Sequence, residues 1–192
     1  RGVLEVRPVV GYSGNFSIGK PNQLIMLVGF EHERAKAVIE HIEPSALCLG
    51  VGHKQQSISE ELADTNQYFF QKLQEFVRSI GAIHSDVQDF EFSCVDPMAT
   101  AQKILEVARF DTHNVIVFPM NTKISTLGVA LAAFERPEIQ VVYAEPQSYN
   151  EKGYSVPDSH VRYGQVWPKI SRISMFDDAL GKEFVRPPVA RA

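Results

Sequence analysis

The sequence lacks the features of several large protein classes. It has two cysteines among 192 residues, too few for a disulfide framework. The apolar run at residues 24–28 has the length of a strand, and no run approaches the length of a spanning helix, so we expect neither a signal peptide nor a membrane-spanning helix. Lys and Arg number 19 against 23 Asp and Glu, and the net charge of −4 disfavours duplex nucleic acid as the main partner. We therefore expect a cytoplasmic protein without membrane association.

Several motifs of catalytic and cofactor sites are also missing. Glu31 and Arg34 stand where the dinucleotide fingerprint G-x-G-x-x-G needs its later glycines, and no Walker A motif occurs. Lys36 replaces the second histidine that a zincin motif starting at His32 would need. No G-x-S-x-G nucleophile elbow is present. We predict no cofactor and no metal site, and the catalytic residues, if any, remain unassigned.

What the chain does have is a regular alternation of apolar strand-like segments and amphipathic helical segments. The predicted strands cover residues 24–28, 46–51, 90–95, 114–118 and 139–143, and the predicted helices cover residues 31–42, 59–80, 97–108 and 124–134. Such alternation is typical of a mostly parallel sheet covered by helices. The predicted fold is therefore α/β, a Rossmann-like three-layer sandwich with about five strands and a short C-terminal extension.

The chain divides into three predicted parts. Residues 1–21 form an N-terminal strand and linker, in which residues 11–15 have the composition of a turn, and the tail of a preceding unit is an alternative interpretation. The Rossmann-like domain covers residues 22–145. Residues 146–192 contain five prolines and little periodicity, which favours a loop-rich extension with one further strand at residues 160–163.

Topology and composition together indicate where a ligand would bind. In an open parallel sheet, ligands bind at the carboxyl ends of the strands, where the strand order reverses. With the usual order this point lies between the first and fourth predicted strands, which should be neighbours. The most polar strand-to-helix turns follow these two strands, at residues 29–34 and 119–126.

The second of these turns is rich in groups that bind anions. A helix N-terminus offers unpaired N–H groups and a partial positive charge, and Lys123 adds a full charge where the helix dipole opposes it. A bound anion would explain that placement. The alternative is that Asn121 or Thr122 simply caps the helix while Lys123 points into water.

The predicted ligand-binding residues come from both turns and from the end of the fifth strand. The alternative to ligand binding for Arg34 is a surface ion pair with Glu31 or Glu40. The alternative for Glu145 and Tyr149 is that they fix the loop to the sheet. Cys94 lies at a strand end, either in the core or facing the crevice. The full set is Gly29, Phe30, Glu31, Arg34, Asn121, Thr122, Lys123, Ser125, Thr126, Glu145 and Tyr149.

The polar turn Asn121-Thr122-Lys123, followed by a helix of small residues, resembles the CRISPR-associated Rossmann-fold (CARF) sensor domains. Those domains commonly carry a Thr-Lys-containing, glycine-rich turn at this point, although this chain lacks the glycine pair before Thr122. The resemblance covers residues 22–145. It implies a homodimer that binds a cyclic oligoadenylate or another nucleotide and controls an attached effector. Bacterial defence proteins of related architecture are an equally good match.

Three functions remain open from the sequence. The first is a sensor that binds a nucleotide or another phosphorylated small molecule between the Gly29 and Asn121 turns. The second is a small phosphate-handling enzyme, with Lys123 stabilising charge and Glu145 or Asp96 as the acid or base. The third is a scaffold domain without a small ligand, in which the crevice would be occluded or apolar.

Overall fold

Parallel strand pairing organises the chain, which a computed structural model describes at residues 2–80 and 86–148. The described residues form six strands in the order β1-β6-β5-β2-β3-β4, in which β1 is antiparallel to β6 and every other pair is parallel. The strands are β1 (Val3–Ser13), β2 (Asn22–Leu27), β3 (Ala46–Gly52), β4 (Asp86–Phe92), β5 (Asn114–Pro119) and β6 (Gln140–Pro146). The helices are α1 (His32–Ile42), α2 (Glu60–Ser79), α3 (Pro97–Val107) and α4 (Lys123–Glu135). The α/β class with a mostly parallel sheet is thus confirmed.

The two strands on which the site prediction depends are neighbours. β2 pairs with β5 in parallel, with Ile25 opposite Val117. Successive side chains of a strand point to opposite faces, and every residue from Leu24 to Leu27 is fully buried. Side chains on both faces of the central strands are therefore removed from water, as their continuous apolar run predicts.

The helices contact the sheet and one another in two pairs, α1 with α2 and α3 with α4. The largest core cluster joins apolar side chains of α1 and α2 to β2, β3, β5 and β6. Small residues allow α3 and α4 to approach closely, since a Cβ at Gly128 would lie 2.7 Å from the Pro97 carbonyl oxygen. The stripe of small residues in α4 thus has a packing role.

The helix starts follow the capping chemistry of the sequence. Ser59 accepts a hydrogen bond from Leu62 N–H at the start of α2. Asp96 accepts from Met98 N–H and Ala99 N–H at the start of α3. Ser59 and Asp96 are thus the N-caps of α2 and α3.

Two boundaries differ from the prediction. Gly11 to Ser13 do not form a free turn but lie within β1, where an irregular register accommodates a positive φ at Gly11. The sheet accordingly has six described strands rather than about five. The third predicted strand, residues 90–95, corresponds to β4, which both begins and ends a few residues earlier. β4 lies at the edge of the sheet, and an edge strand tolerates the exposed polar residues between Asp86 and Asp89.

At the amino ends of the strands, polar side chains tie α3 to the sheet. Gln23 is fully buried and donates from Nε2 to the Val107 carbonyl, while its Oε1 accepts from Arg109 N–H. The Arg109 guanidinium pairs with both carboxylate oxygens of Asp86 and holds the pKa of that carboxyl below its usual value. This end of the sheet is opposite to the predicted ligand site.

Candidate functional site

The turns that follow β2 and β5 meet in direct backbone contact. A Cβ at Gly29 would lie 1.8 Å from the carbonyl oxygen of Met120, so only glycine fits at this position. Met120 N–H also donates to the Leu27 carbonyl. The neighbouring turn thus fills the space beside Gly29. Packing between the two turns explains the glycine at this position without a ligand.

Two asparagines fasten the carboxyl ends of three strands. Asn121 donates from Nδ2 to the Val28 carbonyl at 2.7 Å, and Asn66, on α2, donates to the same oxygen at 2.8 Å. The Oδ1 atom of Asn66 accepts from Gly52 N–H at the end of β3. The Oδ1 atom of Asn121 accepts from Thr122 N–H at 2.9 Å and from the Cys94 thiol at 3.3 Å. These bonds fix the turns after β2, β3 and β5 relative to one another.

The hydroxyl groups of the α4 turn bond mainly to their own turn. Thr122 is the N-cap, accepts from Ser125 N–H at 3.0 Å and donates to the Cys94 carbonyl at 2.9 Å. Ser125, which is fully buried, and Thr126 both donate to the Thr122 carbonyl. Of the two roles that the sequence leaves open for this turn, the structure displays helix capping by Thr122, while Ser125 and Thr126 bond back to the carbonyl of that residue.

Lys123 is the first residue of α4 and is exposed. Within residues 2–80 and 86–148 its ammonium group forms no hydrogen bond or ion pair. The Thr122 cap and the helix itself satisfy the N–H groups of Ser125 and Thr126, which leaves those of Lys123 and Ile124 as the donors that point out of the helix. This helix end therefore offers two unbonded N–H groups, and its first residue carries an exposed cationic side chain.

Arg34 is the third residue of α1, and its guanidinium has three contacts. It donates from Nη1 to Glu31 Oε2 at 2.5 Å and from Nη2 to the Ala144 carbonyl at 2.8 Å, and its guanidinium lies 5.5 Å from the Tyr143 ring centroid. The pair with Glu31 that the sequence offers as an alternative is therefore formed. The Glu31 side chain is 44% exposed and the Arg34 side chain 12%, so the pair lies at the surface with its guanidinium mostly covered.

Phe30 turns toward α2. Its ring centroid lies 6.0 Å from that of Phe69, and the residue is 44% exposed. Phe30 thus extends the carboxyl-end surface with an aromatic face on the α2 side of the site.

The remaining predicted residues lie at the ends of β6 and β4. Glu145 is half-buried, opposite Glu5 in the β1–β6 register. Asp96 uses its carboxylate to cap α3. Tyr149 and residues 160–163 lie outside the described residues.

Cys94 sits behind the turns rather than in an open crevice. Its thiol is buried, donates to Asn121 Oδ1 and would be 2.5 Å from a Cβ at Gly52. Burial raises the pKa of the Cys94 thiol, which disfavours the nucleophilic thiolate. The core alternative for this cysteine is the one that the structure displays.

Asn66 is not among the residues that the sequence predicts for this region. Its signal is its position in α2, since it falls on the buried stripe formed by Ala63, Phe70, Leu73 and Val77. A polar residue on an apolar helix face must find hydrogen-bond partners, and here these come from the ends of two strands.

Residues 2–80 and 86–148 contain no group of three or more His, Cys, Asp or Glu side chains placed to hold a metal ion. Within the same ranges, no helix combines the length and apolarity required to cross a bilayer. Neither the known protein-family models nor the curated proteins include a match to this sequence. The resemblance to CARF domains therefore stays a prediction that rests on the residues quoted for it.

Proposed function

We propose that this chain is a ligand-sensing domain that binds a nucleotide or another phosphorylated small molecule at the carboxyl ends of β2 and β5. The single observation that carries the proposal is the strand order. β2 leads through α1 to β3 on one side, and β5 leads through α4 to β6 on the other side. The order reverses between β2 and β5, where ligands bind in open α/β sheets.

The strand order also bears on which face of the sheet each helix covers. Right-handed crossovers that leave two adjacent strands in opposite directions place their helices on opposite faces of the sheet. We therefore assign α1 and α2 to one face and α3 and α4 to the other, in agreement with the two contacting helix pairs. This gives a Rossmann-like three-layer sandwich, with the starts of α1 and α4 on either side of the reversal point.

Two cationic side chains supply the chemistry for an anionic ligand. Lys123 is exposed at the start of α4, where the helix dipole opposes its charge and a bound phosphate would offset that cost. Arg34, on α1, places its guanidinium next to the Ala144 carbonyl of β6. The aromatic ring of Phe30 offers an exposed surface on which a base can stack.

A scaffold domain without a small ligand is the second candidate, and one observation favours it. The side-chain donors of Asn121, Thr122 and Ser125 are already bonded within the protein. A phosphate would then have to be held by Lys123, by backbone N–H groups and by Arg34 alone. The enzyme alternative has less support, because Asp96, one of its two candidate acids or bases, is engaged as a helix cap.

A thermal-shift screen of phosphate, mononucleotides and cyclic oligonucleotides separates the sensor from the scaffold. If the domain is a sensor, at least one of these anions raises the Tm of the wild type and raises it less in Lys123→Ala. Lys103→Ala is the matched control, since Lys103 is an equally charged, half-exposed residue on α3 that pairs with Glu106. Absence of a shift with every anion would favour the scaffold.

A further inference from the structure

We propose that the outer edge of β1, the edge that does not face β6, is an interface for a second copy of this chain. The β1 strands of the two copies would pair antiparallel about a two-fold axis. β1 is one of the two outer strands of the sheet, and among residues 2–80 and 86–148 it pairs with β6 alone. An outer strand presents N–H and C=O groups with which another strand can pair.

β1 is long for an outer strand and keeps apolar side chains in water. It has 11 residues, whereas strands average about five or six. Leu4 is 64% exposed and Val10 is 88% exposed. β4, the outer strand at the opposite side of the sheet, has 7 residues and carries carboxylates at Asp86 and Asp89. A long apolar edge favours pairing with another strand, and acidic side chains oppose it, so β1 is the better candidate of the two.

The charges of β1 favour one symmetric register. Directly opposed residues of antiparallel strands lie on the same face of the sheet, so in a two-fold pair one residue opposes its own copy. With Glu5 or Arg7 at this centre, like charges would face each other, which destabilises a strand pair. With Leu4 or Pro8 at the centre, a charged residue would face a valine. With Val6 at the centre, Glu5 of each copy faces Arg7 of the other.

Both charged groups are available to a second copy. The side chains of Glu5 and Arg7 are 62% and 47% exposed. Within one chain, Glu5 Oε2 and Arg7 Nε are 3.8 Å apart, which is too far for a hydrogen bond. The Val6-centred register therefore adds two charge pairs without breaking a close contact inside either copy.

The backbone also suits the Val6-centred register. The pairing of β1 with β6 is regular from Glu5 to Pro8, with register shifts on either side. A proline in an outer strand turns its nitrogen away from the sheet, because it has no N–H to donate. Val6 is two residues from Pro8, so its N–H and C=O point to the same outer edge and can exchange two hydrogen bonds with Val6 of the second copy.

The same register brings exposed apolar side chains together. Leu4 falls close to Pro8 of the second copy and two residues from its Val10. Removing these side chains from water would add a non-directional contribution to the affinity. Hydrogen bonds, charge pairs and apolar contacts thus all favour a second copy of this chain as the occupant of the edge.

Sedimentation velocity over a range of protein concentrations tests the interface by charge exchange. Glu5→Arg alone and Arg7→Glu alone place like charges opposite each other, and each should weaken the dimer about tenfold. An equimolar mixture of the two variants should dimerise again, because one copy then carries two arginines and the other two glutamates. Glu40→Arg is the matched control, since Glu40 is an exposed residue of α1 and the charge change equals that of Glu5→Arg.

Circular dichroism checks the fold of each variant. The double variant Glu5→Arg/Arg7→Glu restores both charge pairs and should dimerise as the wild type does, so it tests the register even where a single variant fails to fold. A double variant that stays monomeric would overturn the inference.

The remaining outcomes each decide the matter. A wild type that is monomeric at every concentration would overturn the inference, as would single variants that dimerise as tightly as the wild type. Equal weakening in Glu40→Arg and Glu5→Arg would show a general charge effect and overturn it as well. A mixture of the single variants that stays monomeric would exclude the Val6-centred register. None of these results bears on the proposed ligand site, because its residues lie outside β1.

Discussion

Asn66 and Asn121 donate hydrogen bonds to the same backbone oxygen, that of Val28, at 2.8 and 2.7 Å. One asparagine comes from α2 and the other from the turn after β5, so a single carbonyl at the end of β2 joins two distant parts of the chain. Asn66 is 3% exposed, and its Oδ1 also accepts from Gly52 N–H. The carboxyl end of the sheet therefore has a fixed polar framework on which the candidate site is built.

A double-mutant cycle on these two residues tests that framework. Asn66→Ala should lower the free energy of unfolding by about 1–3 kcal/mol, because it leaves Gly52 N–H buried without its partner. Asn121→Ala should cost less, because the residue is partly exposed. The Val28 carbonyl loses both donors only in the double variant, which should therefore be less stable than the sum of the single effects predicts. Urea unfolding measures the four free energies, and strict additivity would contradict the shared-acceptor interpretation.

Gly29→Ala should destabilise the protein by about 1–3 kcal/mol through overpacking, since the added Cβ would overlap the Met120 carbonyl. Gly19→Ala is the matched control, because no atom lies within 4 Å of a Cβ at that position. Thermal unfolding of both variants checks the prediction. A Gly29→Ala protein as stable as Gly19→Ala would mean that the two turns do not touch in this way.

The Asp86–Arg109 pair predicts a pH-dependent contribution to stability. Arg109 lowers the pKa of Asp86 in the folded protein. The pair therefore stabilises the fold at pH values above the ordinary Asp pKa of about 3.9, and this contribution is lost as the pH falls through the lowered pKa of Asp86 in the folded protein. Because the Asp86 side chain is 41% exposed, Asp86→Asn should cost only about 0.5–1 kcal/mol at neutral pH. Unfolding free energies measured across pH should converge for the two proteins in acid. Asp89→Asn is the control, because the Asp89 carboxylate is bonded to the neutral side chain of Gln74 and not to a cation. Its free energy of unfolding at neutral pH should differ less from that of the wild type.

Thiol labelling tests the placement of Cys94 behind the turns. Burial raises the pKa of both cysteine thiols, so the native protein should react with iodoacetamide much more slowly at neutral pH than the unfolded chain does. The variants Cys48→Ser and Cys94→Ser assign the signal to each residue. Rapid labelling of Cys94 in the native protein would place the thiol in an open crevice, contrary to its hydrogen bond with Asn121.

Much of the fold follows from the sequence because its signals are local. Continuous apolar runs predict the buried strands β2 and β5, and Ser59 and Asp96 mark helix starts by their capping chemistry. The two strands at the edges of the sheet, β1 and β4, are harder to predict. The exposed polar start of β4 and the length of β1 depend on hydrogen bonds to neighbouring strands, which no local pattern records.

The candidate site is predicted less completely than the fold. The adjacency of β2 and β5 follows from topology, but the orientation of each hydroxyl does not. Thr122 and Ser125 have residue types that suit both a helix cap and an anion site, and only the three-dimensional contacts distinguish the two roles. Asn66 lies 55 residues from Asn121 in the sequence, so their meeting at Val28 cannot be read from spacing.

The measurement that most directly tests the proposed anion site is a titration of the ¹⁵N-labelled protein with phosphate and mononucleotides, followed by amide chemical shifts. We predict saturable shifts of the Lys123 and Ile124 amides, with affinity about 10- to 100-fold weaker in Lys123→Ala and unchanged in Lys103→Ala. Without ligand, Lys123→Ala should be as stable as the wild type or slightly more stable, because the helix dipole opposes the lysine charge. Shifts that do not saturate, or that are the same in Lys123→Ala, would contradict an anion site at the start of α4.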